Sequence, residues 1–147
     1  MEKQKIRITY GLKESQMANV FKHASKKKGS LSEAIVRLLE RRLDNTVFRL
    51  GFAPSRIMAR QFVSHGHILV NGRKVTVASF LVKAGDAITV KPKSLNSLIF
   101  KELSNTIKKY QAPEWLTINA ENIEGKVKSL PLAIEMPFDI NLVVDFY

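Results

Sequence analysis

The spacing of apolar residues changes at Gly66, and this change restricts what the middle of the chain can fold into. Before Gly66 the apolar residues recur at helical spacing, whereas 67–70 and 73–76 form short runs on either side of Asn71-Gly72. An Asn-Gly pair between two such runs is the strongest short-range signal for a type I′ hairpin, since both turn residues need a positive φ. The sequence therefore predicts that helical structure gives way here to a β-hairpin.

Helices are predicted before this hairpin and again later in the chain. Apolar stripes predict helices over 13–28 and 97–110, and the segment 31–50 fits either one long helix or two abutting helices. If that segment divides, Asp44 is the expected N-cap of the second helix, because its carboxylate can accept a backbone N–H. Ser55 is the expected N-cap of a further helix that ends at Gly66.

The remaining pattern predicts a small antiparallel sheet. The apolar contacts expected from the helix after Ser55 are Ile57, Met58, Phe62 and Val63. Extended runs are expected at 77–82, 87–90, 115–118 and 142–144, with a turn at 83–86. Residues 42–91 are therefore predicted to form two helices packed on a small antiparallel sheet, and the chain to be an α+β protein.

Positive charge is concentrated in the same part of the chain. The net charge is +11; residues 41–93 contribute +8 from ten Lys/Arg and two acids, residues 1–40 contribute +5, and residues 94–147 contribute −2. An excess of this size in a small chain is typical of a protein that binds a polyanion, either nucleic acid or an anionic membrane surface. Because the apolar stripes are interpreted as core, nucleic acid is favoured.

The absence of certain residues and motifs excludes several functional classes. The chain has no cysteine, which excludes a disulfide scaffold, a Cys-bound zinc and a cysteine nucleophile. It has neither an apolar run of the roughly 18 residues that a transmembrane helix needs nor a signal-peptide core at its start, so a soluble cytoplasmic protein is expected. Without a Gly-rich phosphate loop or a serine nucleophile elbow, no enzymatic activity, cofactor or small-molecule substrate is predicted.

His65 and His67 raise the question of a metal site. Residues two apart on a strand share a face, so the two imidazoles could ligate one ion. However, the chain has no cysteine, and no acid lies between Asp44 and Asp86, so a third ligand is missing nearby. We therefore interpret both histidines as facing solvent or RNA and predict no metal site.

The cations and polar side chains of this segment predict a surface for folded RNA. Arginine forks match phosphate geometry, while Asn, Gln, Ser and His can bind sugars and base edges. Arg56 and Arg60, four residues apart, share one face of a helix. The candidate RNA-binding residues of this segment are Arg42, Arg49, Arg56, Arg60, Gln61, Ser64, His65, His67, Asn71, Arg73 and Lys74.

Two long runs, 42–52 and 55–72, are more specific than composition or charge. The first reads RLDNTVFRLGF, and the second contains Arg56, Arg60, Gln61 and the VSHGHILVNG run that ends at Gly72. Both closely resemble the signature of bacterial-type small-subunit ribosomal protein four. The likeness extends into the flanks, for example at PEWL (113–116), and covers nearly the whole chain.

This resemblance implies a helical domain with an inserted small RNA-binding module. The module would comprise 42–93, and 1–41 and 94–147 would be the two parts of the helical domain. The protein would be a structural subunit of a cytoplasmic or organellar ribosome that binds small-subunit rRNA early, helps to nucleate assembly and influences decoding accuracy. Its partners would be that rRNA and neighbouring small-subunit proteins, including the fifth, with no membrane. The resemblance adds Lys3, Lys5 and Arg7 to the RNA-binding residues.

Three features depart from the family pattern. Most family members have an additional N-terminal arm, sometimes with zinc-binding cysteines, and the chain is expected to be a form that lacks this arm. Residues 29–33 replace a commoner GNTGE, and the C-terminus after Asn141 is shorter than usual. The competing hypothesis is a free-standing factor for RNA modification or ribosome rescue that uses the same module. A modifying enzyme would need a catalytic domain, for which 94–147 is too short and too poor in motifs.

Overall fold

A computed structural model describes residues 10, 12–25, 31–98, 100–101 and 103–129. The chain divides into two compact units: one comprises Arg41–Leu130, and the other comprises Met1–Glu40 with Pro131–Tyr147. Two predictions lie outside the described residues, namely the strand at 142–144 and the RNA-binding role of Lys3, Lys5 and Arg7.

The unit that begins at Met1 contains helix α1 (Glu14–Ser25) and almost all of α2 (Leu31–Arg41). Helix α1 lies within the predicted helix at 13–28, of which 26–28 fall outside the described residues. The Tyr10 hydroxyl donates to Glu40 Oε2 at 2.8 Å, and Glu40 is completely buried. This hydrogen bond compensates part of the desolvation cost of the buried Glu40 carboxylate and connects the end of α2 to Tyr10.

The segment 31–50 forms two helices rather than one. Helix α2 ends at Arg41, and α3 spans Leu43–Arg49. Between them Arg42 is extended, with φ −59° and ψ 139°, and this conformation interrupts the helical hydrogen bonds. Of the two arrangements that the sequence left open, the structure has the abutting pair.

Helix α3 is capped by the backbone of a neighbouring loop. Its first two N–H groups donate to the carbonyls of Phe80 and Ala78, at 2.8 and 3.2 Å. The first N–H groups of a helix have no acceptor inside it, so these contacts replace a side-chain cap. The prediction that Asp44 is the N-cap is wrong: Arg42 occupies that position, and Asp44 lies in the first turn.

Helix α4 spans Arg56–Ser64 and begins as predicted. Ser55 is extended, and its Oγ accepts the N–H of Met58 at 3.1 Å, which confirms it as the N-cap. The buried residues of α4 are Ala59, Phe62 and Val63. Ile57, predicted to pack with them, is 70% exposed because it lies on the solvent side of the helix, so that prediction is wrong.

Five antiparallel strands form one sheet in the order β2-β1-β3-β5-β4. The strands are β1 (Ile68–Val70), β2 (Arg73–Lys74), β3 (Ala87–Val90), β4 (Leu116–Asn119) and β5 (Glu124–Val127). Asn71 and Gly72 have φ values of 52° and 81°, as a type I′ turn requires, so the predicted hairpin is confirmed. The return strand β2 is shorter than the predicted run at 73–76.

Three segments differ from their sequence patterns. Segment 77–82, predicted to be extended, contributes only an isolated bridge between Leu81 and Arg42, because its carbonyls cap α3. The predicted helix at 97–110 is shorter: a 3₁₀ helix at Ser94–Asn96 precedes α5 (Leu103–Lys108). Strand β5 was not predicted, since its sequence EGKV has only one strongly β-forming residue.

Strand pairing continues beyond residue 93, where the module that the resemblance implies would end. Strand β3 pairs with β5, with Ile88 opposite Gly125. Phe100, Leu103, Ile107, Trp115 and Leu116 join the core that α3 and α4 build on the sheet. Residues 94–129 therefore support the surface that α3 and α4 present.

Helix α3 packs closely on the sheet at Gly125. A Cβ at this position would collide with the side chain of Leu50, which is itself fully buried. A substitution that adds volume to a packed core typically costs about 1–3 kcal/mol. The absence of a side chain at 125 thus sets how near α3 approaches the sheet.

We predict that Gly125→Ala lowers the free energy of unfolding by about 1–3 kcal/mol, measured by urea denaturation. Leu50→Ala removes the colliding side chain, so the double variant should lose less than the sum of the two single losses. Thr117→Ala, at an exposed position of β4, is the control and should change little. Strictly additive losses would contradict the proposed contact.

Candidate nucleic-acid interface

A buried carboxylate lies where α3 meets α4. The side chains of Asp44 and Arg42 are 3% and 6% exposed. Arg42 donates from Nε to Oδ1 at 3.2 Å and from Nη2 to Oδ2 at 3.3 Å, so it grips the carboxylate as a fork. Arg60 of α4 approaches Oδ2 at 3.5 Å. Two guanidinium groups thus compensate the desolvation of Asp44.

The next residue, Asn45, holds a second arginine of α4. Asn45 is 1% exposed, and its Oδ1 accepts the Nε–H of Arg56 at 2.9 Å. The Arg56 guanidinium carbon lies 4.5 Å from the centroid of the Phe48 ring, one turn further along α3. This distance suits a cation–π interaction. Arg56 is therefore fixed by an amide oxygen and by an aromatic face.

These contacts bring together three of the predicted RNA-binding residues. We call Arg42, Arg56 and Arg60 the arginine cluster. Two consecutive buried residues, Asp44 and Asn45, hold all three guanidinium groups. The members differ in access: Arg42 is buried, whereas Arg56 and Arg60 are partly exposed. Only the two arginines of α4 can therefore reach a ligand without unfolding the site.

The solvent side of α4 extends this surface. Ile57, Arg60, Gln61 and Ser64 follow at i, i+3, i+4 and i+7, which places them on one helix face. Arg60 is partly exposed and the other three are exposed. The Ser64 hydroxyl donates to the Gln61 carbonyl at 3.1 Å. The face combines a cation, an amide, a hydroxyl and an apolar side chain.

The two histidines that the sequence singled out lie in different environments. His65 is exposed, whereas His67 is half-buried with its Nδ1 2.7 Å from Ser94 Oγ. The His67 ring contacts the edges of Phe62 and Phe100, at centroid distances of 6.3 and 5.5 Å. Since Ser94 is buried, His67 links the start of β1 to the 3₁₀ helix. Within the described residues, no three His, Cys, Asp or Glu side chains are grouped to hold a metal ion.

The hairpin presents two cations, whereas its asparagine is engaged within the protein. Arg73 and Lys74 are exposed. The Asn71 amide donates to Asp86 Oδ1 and accepts the backbone N–H of Ala87, both at 2.9 Å. These bonds clamp the turn to the start of β3. Asn71 therefore fixes the position of the hairpin through its side chain.

Arg49, the remaining predicted residue, is half-buried in the last turn of α3. Sequence reasoning missed Asp44 and Asn45 as organisers of the arginines and Ile57 as a surface residue. One signal was available: an acid and an amide adjacent to each other in a segment with ten cations and two acids.

No described helix combines the length and apolar character needed to cross a membrane.

We predict that Asp44→Asn lowers the free energy of unfolding by about 3–5 kcal/mol, because the buried Arg42 loses its counter-charge. The double variant Arg42→Met/Asp44→Leu replaces the pair by apolar groups and should recover most of that loss. Urea denaturation measures both. Equal destabilisation by the single and the double variant would show that the pair does not act as a unit.

Two family models match consecutive parts of the chain. Residues 1–40 match the ribosomal protein S4/S9 N-terminal domain, and residues 41–88 match the S4 domain. The second match begins one residue before the first arginine of the cluster and extends into β3. All the interface residues of α3, α4 and the hairpin lie within it.

Relatives match over nearly the whole chain. Small ribosomal subunit protein uS4A of Alkaliphilus metalliredigens is 50% identical over 99% of this chain and 71% of its own length. The uS4 proteins of Halothermothrix orenii and Chloroflexus aurantiacus are 49% and 47% identical, over 99% of this chain and 71% and 73% of theirs. The similarity thus includes both the unit Arg41–Leu130, which contains the arginine cluster, and the unit that begins at Met1.

Proposed function

The chain belongs to the uS4 family of small ribosomal subunit proteins, and from this membership we propose how it binds RNA. It is a structural constituent of the small ribosomal subunit and not an enzyme. Its ligand is small-subunit rRNA, and its RNA-binding surface is the solvent side of α4 and the β1–β2 hairpin, joined by the half-buried Arg49 at the end of α3. The observation that carries this proposal is the arginine cluster, held in place by Asp44 and Asn45.

The proposed mechanism is electrostatic, with the geometry of the cations fixed in advance. Arg56 and Arg60 neutralise phosphates and release counterions, while Gln61 and Ser64 bind neighbouring sugar or phosphate oxygens. Because the protein already orders both guanidinium groups, little side-chain entropy is lost on binding. The RNA that fits is the one whose phosphates match the spacing of these groups.

The other predicted residues divide into contacting and positioning roles in this proposal. The contacts come from the exposed His65, Arg73 and Lys74 and from the half-buried Arg49. The family resemblance adds Lys3, Lys5 and Arg7 to these contacts. Positioning roles fall to Arg42, which supports Asp44, to Asn71, which clamps the hairpin, and to His67, which is held by Ser94. Because the Arg42 guanidinium is buried and the Asn71 amide is hydrogen-bonded to Asp86 and Ala87, these residues influence RNA through the groups that they hold in place.

The resemblance to the family supports finer proposals about this subunit. It binds the rRNA early, helps to nucleate assembly and influences decoding accuracy through neighbouring proteins, including the fifth of the small subunit, in the cytoplasm. The module at 42–93 acts as the RNA-binding part, supported from outside the module by β5. No comparison favours a free-standing modification or rescue factor, since the uS4 relatives match 99% of the chain.

Binding of the purified chain to the 5′ region of its own small-subunit rRNA, measured at several salt concentrations, tests the proposal. Unrelated duplex RNA serves as competitor. Arg56→Ala/Arg60→Ala should weaken binding and reduce the log–log salt slope by about two, because two phosphate contacts are lost. The matched control is Lys126→Ala/Lys128→Ala, which removes the same charge from exposed positions in or next to β5.

The control separates a defined interface from general basicity. We expect it to change the affinity and the slope much less than the arginine variant does. Binding that the duplex competitor abolishes, or that falls equally in both variants, would contradict the proposed surface.

A further inference from the structure

An apolar groove of about 490 Å³ lies beside the arginine cluster, where the ends of α3 and α4 face α5. Its walls include Phe48, Phe52, Met58 and Tyr110, and Thr106 contributes a hydroxyl. Thr106 and Tyr110 are exposed, so the groove is accessible from solvent. Aromatic walls with an occasional polar group are typical of sites that hold planar ligands.

Tyr110 forms one wall because the residue opposite is glycine. A Cβ at Gly51 would lie 2.8 Å from Cδ1 of the Tyr110 ring, and Gly51 has a φ of +79°, which disfavours other residues. The tyrosine ring therefore lies directly against the backbone. Since Tyr110 remains 39% exposed, the ring is also available to a ligand.

The groove is continuous with the proposed RNA-binding surface through Phe48. This ring lines the groove and also lies 4.5 Å from the guanidinium carbon of Arg56. Lys108 and Lys109, which follow Thr106 in the chain, are exposed. An RNA strand bound by Arg56 would thus pass an aromatic recess in a positively charged part of the surface, which suits a polyanion.

We propose that this groove receives one unpaired nucleobase of the bound RNA, an inference that rests on the proposed function. Unstacked bases are commonly held by aromatic side chains, which replace the stacking lost when a base leaves its helix. Thr106 and Tyr110, the two hydroxyl-bearing residues named among the walls, add polar character to an otherwise apolar lining. An apolar protein segment would use the same walls but would gain nothing from the cations.

The test fills the groove without changing its charge. Thr106→Trp places an indole ring in the groove, and Asn105→Trp is the matched control, since Asn105 is exposed on the same helix but does not line the groove. Tyr110→Leu removes the stacking ring and gives a second, independent variant. Each full-length variant is titrated with the 5′ rRNA fragment carrying 2-aminopurine at one unpaired position at a time.

We expect one position whose fluorescence changes when the wild-type protein binds, because the base enters an aromatic environment. That response should vanish in Thr106→Trp and Tyr110→Leu and persist in Asn105→Trp. Loss of one stacked base should weaken binding by about fivefold to 100-fold. The salt slope should stay unchanged, because no phosphate contact is lost.

The outcomes distinguish this proposal from the proposed function. Tight, salt-dependent wild-type binding in which no position responds, or in which the response persists in both groove variants, overturns the nucleobase proposal alone. If the groove binds a protein segment rather than a base, no 2-aminopurine position will respond, and the nucleobase proposal is again overturned. Absence of specific binding by the wild-type protein overturns the proposed function and the nucleobase proposal with it.

Discussion

The ion pair between Asp44 and Arg42 is the interaction on which the proposed RNA-binding surface depends. A buried carboxylate at the junction of two helices needs positive partners, and Arg42 and Arg60 supply them from both sides. The carbonyls of Phe80 and Ala78 accept the first two N–H groups of α3, and Asp44 Oδ1 accepts the next one, from Asn45, at 2.7 Å. The Asp44 carboxylate therefore binds the start of α3 and the two guanidinium groups at the same time.

Ordering the arginines before RNA arrives changes the energetics of binding. A free arginine side chain loses about 2 kcal/mol of rotamer entropy when it is immobilised. Arg56, bound to Asn45 and stacked on Phe48, has lost much of that freedom on folding. Arg73 on the hairpin is exposed, so we expect it to keep more of its rotamer freedom than Arg56. The proposed surface would then combine ordered cations that select the shape of an RNA with less ordered cations that add attraction.

Local features were predictable from the sequence, and long-range contacts were not. The Asn71-Gly72 turn and the Ser55 cap depend on neighbouring residues, so their patterns sufficed. The role of Asp44 depends on Arg60 of the next helix, and Ile57 follows the orientation of α4. Strand β5 escaped prediction because its pairing with β3 and β4, rather than strand propensity, fixes it. The candidate cations were identified by type, but their access to RNA required the fold.

Arginine side-chain NMR relaxation of the free protein and of its rRNA complex would test most directly whether the cations are ordered in advance. We predict high Nε–H order parameters for Arg42 and Arg56 in the free protein, near the value of about 0.85 typical of rigid backbone, and little change when RNA binds. Arg73 should be mobile in the free protein and become ordered in the complex. Equal mobility of all three arginines in the free protein would contradict an RNA-binding surface built around Asp44 and Asn45.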